Sequence, residues 1–119
     1  MKKHEALAAL AALAQDNRLD VFRLLVEAGR DGLPAGSVAE ALKLAPNTLT
    51  FHFDRLRDAG LVSVRRDGRS MIYSAQYETM NGLIGYLTEN CRRGRANQGL
   101  PVKNNKTASS RSRRKEFAT

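Results

Sequence analysis

The sequence predicts a mainly α-helical domain with one small β-hairpin, and three observations predict it. Residues 37 to 62, SVAEALKLAPNTLTFHFDRLRDAGLV, read as two helices joined by a tight turn. Directly after them, two short runs rich in Val, Ile and Tyr flank Arg66-Asp67-Gly68-Arg69, a hairpin signal because both turn positions tolerate positive φ. The chain has 119 residues, enough for one domain with a modest core and too few for two.

Taken in order, a first helix over about His4 to Ala14 places Leu7, Leu10 and Ala11 or Ala14 on one face. A second begins after Asp16, a good N-cap, and runs through Leu19, Phe22, Leu25 and Val26 to Gly29. Residues 30 to 34, RDGLP, make a turn. The third helix is short, with Val38, Ala39, Leu42 and then Leu44 on its apolar side, and it stops at Leu44-Ala45-Pro46. Pro46 suits the first position of the fourth helix, because it has no amide hydrogen to waste and its φ is already helical. There Leu49, Phe53 and Leu56 recur at i, i+4 and i+7 as a core-facing stripe, and Ala59-Gly60 ends the helix. The hairpin follows as strands Leu61 to Arg65 and Ser70 to Ser74. Tyr77, Met80, Leu83, Ile84 and Leu87 then keep helical spacing from about Gln76 to Cys91. The central elements cannot cover the apolar faces of the first and last helices, so Leu7, Leu10, Leu83, Ile84 and Leu87 are expected to meet the same helices of a second copy.

The face of the fourth helix opposite its stripe carries Asn47, Thr48, Thr50, Phe51, His52 and Arg55. Short hydroxyl and amide groups in the first turns, with an arginine one turn later, can reach base edges and phosphates when such a helix lies in a major groove. The plain alternative is an ordinary polar helix face. Arg65, Arg66 and Arg69 on the hairpin are candidates for phosphate or minor-groove contacts, against the alternative of a solvated tip. His52 lies between the exposed face and the stripe. Holding the helix or touching a backbone phosphate suits it better than metal ligation, since no second ligand is spaced to join it.

Helix, turn, helix, then AGLV, then strand-turn-strand with DG at the tip resembles the winged helix-turn-helix of the ArsR family of bacterial metalloregulatory repressors. The resemblance runs from about Ala6 to Cys91 and is carried by LTFHFDRLRDAGLV (49 to 62) and RRDGRSMIYS (65 to 74). It implies a homodimer through the first and last helices, a fourth helix that reads double-stranded operator DNA with an inverted repeat, and release of a repressor by a metal or metalloid. The segment YETMNGLIGYLTENC resembles the last helix of the arsenic-responsive members, where a cysteine pair and a further cysteine hold trivalent arsenic or antimony by three thiolates. Here Cys91 is followed by Arg92 and Arg93 and is the one cysteine in the chain, so the three-thiolate site cannot form within a subunit. Residues 38 to 42 lack the thiolate pair of other members, and the last helix lacks the histidine and carboxylate set used for zinc. No metal ligand is therefore assigned, and arsenite or another metalloid as inducer rests on the resemblance alone. Cys91 is open to three readings: an inert thiol, the remnant of a lost metalloid site, or a redox-sensitive thiol beside arginines.

Residues 1 to 91 hold 11 Lys/Arg and 11 Asp/Glu, whereas residues 92 to 119 hold 9 Lys/Arg against Glu116 alone, so the excess of +8 lies in the tail. The expected organisation is a folded domain over 1–91 and a basic, disordered tail over 92–119, either a solvated extension or an arm that attracts DNA without choosing sequence. No apolar run reaches 18 residues and no signal peptide is recognisable, and a lone cysteine suits a reducing cytoplasm. The two histidines, His4 and His52, and Cys91 are far apart, and no serine–histidine pairing or glycine-rich phosphate loop is present, which points away from an enzyme. A DNA-binding regulator that needs no inducer and a winged-helix protein-interaction module are the two alternatives.

Overall fold

A computed structural model describes residues 1–90, of which Met1–Tyr86 form one compact unit. The element order is α1 (Lys3–Leu13), α2 (Asp16–Ala28), β1 (Leu33–Pro34), α3 (Ala35–Leu42), α4 (Pro46–Asp58), β2 (Val62–Asp67), β3 (Ser70–Ala75) and α5 (Tyr77–Leu87). Cys91 and the expected tail lie outside the described residues.

Alanine dominates α1, the best helix former, and Glu5 reaches back to accept the Lys2 backbone N–H at 2.8 Å, satisfying one orphan donor of the first turn. The helix buries its small residues, Ala6, Ala9 and Ala12, and leaves Leu7 and Leu10 exposed. Small side chains let its backbone approach α2 and α4 closely, and the leucine face is left outward. The start of α2 differs from the expectation. Gln15, in extended conformation, is the N-cap and accepts the Arg18 N–H at 2.9 Å, so Asp16 is the first helical residue instead. The inward side of α2 is Val21, Phe22 and Leu25, while Leu19 is exposed.

The segment read as a turn over 30–34 contains a strand. Leu33 pairs with Tyr73 and Pro34 with Ile72, adding β1 to the hairpin as a three-stranded antiparallel sheet in the order β1-β3-β2. Gly32 makes this contact feasible: its φ is +73°, and a side chain there would run into the Tyr73 carbonyl oxygen. Between α3 and α4 the tight turn uses Lys43 in the left-handed conformation (φ 56°, ψ 47°), with Leu44 N–H donating to the Ala39 carbonyl at 3.0 Å. Pro46 stands in the first turn of α4, as its ring predicts. The helix ends where Gly60 takes φ +77°, and the Gly60 and Leu61 amides close onto the Arg57 and Leu56 carbonyls at 2.9 Å each. In the hairpin Val62 faces Ala75 and Asp67 faces Ser70, with Gly68 at φ +65° in the turn.

The core collects Val21, Leu25, Val38, Leu49, Phe53, Leu56 and Leu61, all fully buried. Phe53 stacks face to face on Tyr73, with centroids 3.7 Å apart and planes 5° off parallel, so α4 and the sheet are pegged together. The Tyr77 hydroxyl donates to the Val26 carbonyl at 3.0 Å and fastens the start of α5 to α2. On α5 the expected dimer set divides. Leu83 is only 7% exposed and belongs to the chain's own core, while Ile84 and Leu87 are exposed. Because Leu83 is packed into the core of its own chain, its assignment to a dimer contact is corrected.

Candidate nucleic-acid interface

The buried stripe of Leu49, Phe53 and Leu56 fixes which side of α4 looks outward. That side carries Asn47, Thr48, Thr50, Phe51 and Arg55, all exposed. Thr50 donates its hydroxyl hydrogen to the Pro46 carbonyl at 3.0 Å. Its oxygen therefore offers lone pairs outward and its donor is already used, which suits an amino group on a base edge. Arg55 lies 3.3 Å from Asp58 with both side chains largely exposed, an ion pair of little strength that a phosphate can replace.

Phe51 is 53% exposed, unusual for a phenyl ring on a polar face. Arg55 places its guanidinium carbon 5.2 Å from the ring centroid, and Arg18 of α2 places its own at 5.8 Å. Two cations thus lie over this ring, a contact favoured by its negative π face. Arg18 had no signal in the sequence: it lies on the polar side of α2, and only folding brings α2 against α4.

His52 departs from the expectation that it shares the groove-facing surface. It is 4% exposed and accepts the Arg18 Nε–H at its Nδ1, 3.4 Å away. Nδ1 needs its lone pair for this bond, which leaves the hydrogen on Nε2. That Nε2 is enclosed and finds no partner. Burial, and then the neighbouring Arg18 charge, hold the imidazole pKa below its ordinary value, so the ring is neutral. His52 is a structural contact behind the outward face of α4, and its burial corrects the expectation that it lies on that surface.

The hairpin arginines divide by strand alternation. Arg65 is paired with Ile72 and Arg66 with Met71; Ile72 is buried and Met71 exposed, so the two arginines stand on opposite faces of the ribbon. Arg65 donates from Nη2 to the Asp31 carbonyl at 3.1 Å and braces the hairpin against the turn before β1. Arg66 and Arg69 are exposed near the tip. Among the described residues no group of three or more His, Cys, Asp or Glu side chains could hold a metal ion, and no helix is long and apolar enough to cross a membrane.

The sequence profile of a helix-turn-helix domain matches residues 13–65. An uncharacterized HTH-type transcriptional regulator of Bacillus subtilis, YceK, is 35% identical over 77 residues, covering 64% of this chain and 76% of the relative. The HTH-type transcriptional regulator YgaV of Escherichia coli is 31% identical over 83 residues, covering 70% and 82%. Among solved structures, an ArsR-like transcriptional regulator from Rhodococcus sp. RHA1 superposes with a TM-score of 0.67 at 25% identity, covering 76% of this chain and 83% of that one.

Proposed function

The chain belongs to the ArsR-type winged helix-turn-helix transcriptional regulators, which bind DNA, and on that premise we propose that α4 reads the operator through Asn47, Thr48, Thr50, Phe51 and Arg55. The observation that carries this reading is the outward face of α4: small polar groups in the first turns, then a phenyl ring within cation–π distance of two guanidinium groups, all backed by a fully buried stripe. A rigidly backed helix presents its donors and acceptors without further ordering, which is what base discrimination needs. Arg66 and Arg69 meet backbone phosphate or the minor groove beside it, and Arg65 sets the angle of the wing through Asp31.

Leu7 and Leu10 on α1, and Ile84 on α5, are large apolar side chains left exposed, and Leu87 at the end of α5 is exposed as well. A second copy of the chain covers them, giving a homodimer whose symmetry selects an inverted repeat with half-sites about one helical turn apart. By occupying promoter DNA in the cytoplasm the dimer represses. With one cysteine in the chain, a three-thiolate metalloid site cannot assemble in a subunit. That favours a regulator working without the thiolate-bound inducer of the arsenic-responsive members.

The test compares binding to a duplex carrying the promoter of its own gene with binding to a scrambled duplex. Thr50→Ala and Asn47→Ala should each lose about 1–3 kcal/mol of discrimination between the two. Arg66→Ala should weaken both equally and lower the salt slope by about one. The reading fails if the α4 variants weaken both duplexes alike.

A further inference from the structure

We propose that Arg18 is a positioning residue for DNA recognition, which through its contact with His52 holds α4 against α1 and α2 and places a cation over Phe51. The proposal rests on the reading that α4 enters a major groove. Arg18 is the side chain that touches all three helices at this corner. Its Nη1 donates to the Ala12 carbonyl at 3.4 Å, its Nε donates to His52 Nδ1 at 3.4 Å, and its guanidinium carbon lies 5.8 Å from the Phe51 centroid. The Ala12 carbonyl is in the last turn of α1, where carbonyls lack intrahelical partners and a cation is favoured. Arg18 therefore caps α1, grips the hidden side of α4 at His52, and reaches the displayed side at Phe51. Because α1 also bears exposed Leu7 and Leu10, Arg18 joins the proposed dimer helix directly to the reading helix.

The grip depends on the protonation state of one ring. Neutral His52 accepts from Arg18; a proton on Nδ1 turns that acceptor into a donor and sets two cations face to face. Of the groups around the imidazole, Arg18 of α2 supplies the facing charge, α1 supplies the Ala12 carbonyl to Arg18, and on α4 Arg55 is paired with Asp58. No enclosed acceptor awaits Nε2–H. Acid thus breaks the contact of Arg18 with His52, which a residue that merely filled space would not show.

The experiment uses the full chain, as wild type, Arg18→Met and Arg18→Lys. His52 ring titration and amide-exchange protection of α4 are followed by NMR without DNA. Discrimination between the own-promoter duplex and a scrambled duplex is measured at about pH 7.5 and at a pH below the His52 midpoint that the NMR titration gives, since burial holds that midpoint under the ordinary imidazole value. In Arg18→Met the His52 midpoint should rise, α4 amides should lose protection, and discrimination at the higher pH should fall about tenfold, the scale of a charged hydrogen bond. Arg18→Lys keeps the charge without the planar fork and should recover only part of it. In the wild type, discrimination should fall as His52 takes up its proton. An unchanged His52 midpoint in Arg18→Met overturns the proposal, as does unchanged discrimination. If Arg18→Met does not fold, the lysine variant and the wild-type pH series decide in the same way. If the wild type never prefers its promoter, the operator-reading function fails instead, and α4 protection alone decides for or against the grip.

Discussion

Replacing Phe53 by Ala should remove the peg between α4 and the sheet. Its side chain is 1% exposed, so essentially all of it is withdrawn from water. A buried aromatic removes about 150–250 Å² from water, worth about 4–6 kcal/mol at ~25 cal/mol per Å². Measured Phe→Ala changes in cores cost about 3–5 kcal/mol, so about 4 kcal/mol is expected. That is a large part of the ~5–15 kcal/mol that holds such a domain folded. The Tyr73 ring adds a separate term that geometry limits. Aromatic pairs gain about 0.5–1.5 kcal/mol beyond area when offset or edge-to-face. Here the rings overlie at 3.7 Å and 5°, which sets negative π faces against each other. A double-mutant cycle with Phe53→Leu and Tyr73→Leu should therefore give coupling near the low end, about 0.5 kcal/mol. Urea unfolding followed by circular dichroism, at one fixed protein concentration because association adds stability, makes the measurement. Coupling above about 1.5 kcal/mol would refute packing as the source of the contact. A cost below about 2 kcal/mol for Phe53→Ala would refute its role as the peg.

Two further outcomes follow from the backbone and the buried imidazole. Gly32→Ala should cost more than Gly29→Ala, although both sit at positive φ. Only at Gly32 does the new side chain strike the Tyr73 carbonyl; at Gly29, with φ 82° and ψ −169°, the cost is the strain of a backbone region that favours glycine, about 1–3 kcal/mol, and thermal unfolding of the two variants measures the difference. For His52 the folded pKa lies below the ordinary 6.5, so the unfolded chain takes the proton first. Its stabilising contribution is complete above that value and drains as pH falls from there to the folded pKa, at no more than about 1.4 kcal/mol per pH unit for one proton. His52→Gln should flatten this limb of the stability curve; an unchanged slope would show that another group causes it.

Much of the architecture was legible because its signals are local. Pro46 with Leu49, Phe53 and Leu56 marks α4 and its buried side, Gly60 marks its end, and Asp67-Gly68 marks the hairpin. The outward α4 residues were legible for the same reason, since the 3.6-residue period that buries one face displays the other. Other features left no such trace. The two-residue β1 has no periodicity, and its pairing with Ile72 and Tyr73 spans nearly forty positions of sequence. Leu83 and Ile84 are equally apolar neighbours, and only the placement of α5 against the core decides which is buried. Gln15 in place of Asp16 as the α2 cap depended on the extended backbone at Gln15.

The sequence by itself determined the helix-and-hairpin order, the buried side of α4, the polar surface opposite it and the concentration of net charge beyond residue 91. These depend on side-chain period, turn chemistry and composition, which act over a few residues. Tertiary structure alone decided that His52 turns inward, that Arg65 braces the wing and that Arg18 joins α1 to both sides of α4. Arg18 and His52 are thirty-four residues apart, as are Arg65 and Asp31. Contacts at that separation are set by how helices pack, and packing depends on the shape of the whole core rather than on any stretch of chain that can be read alone.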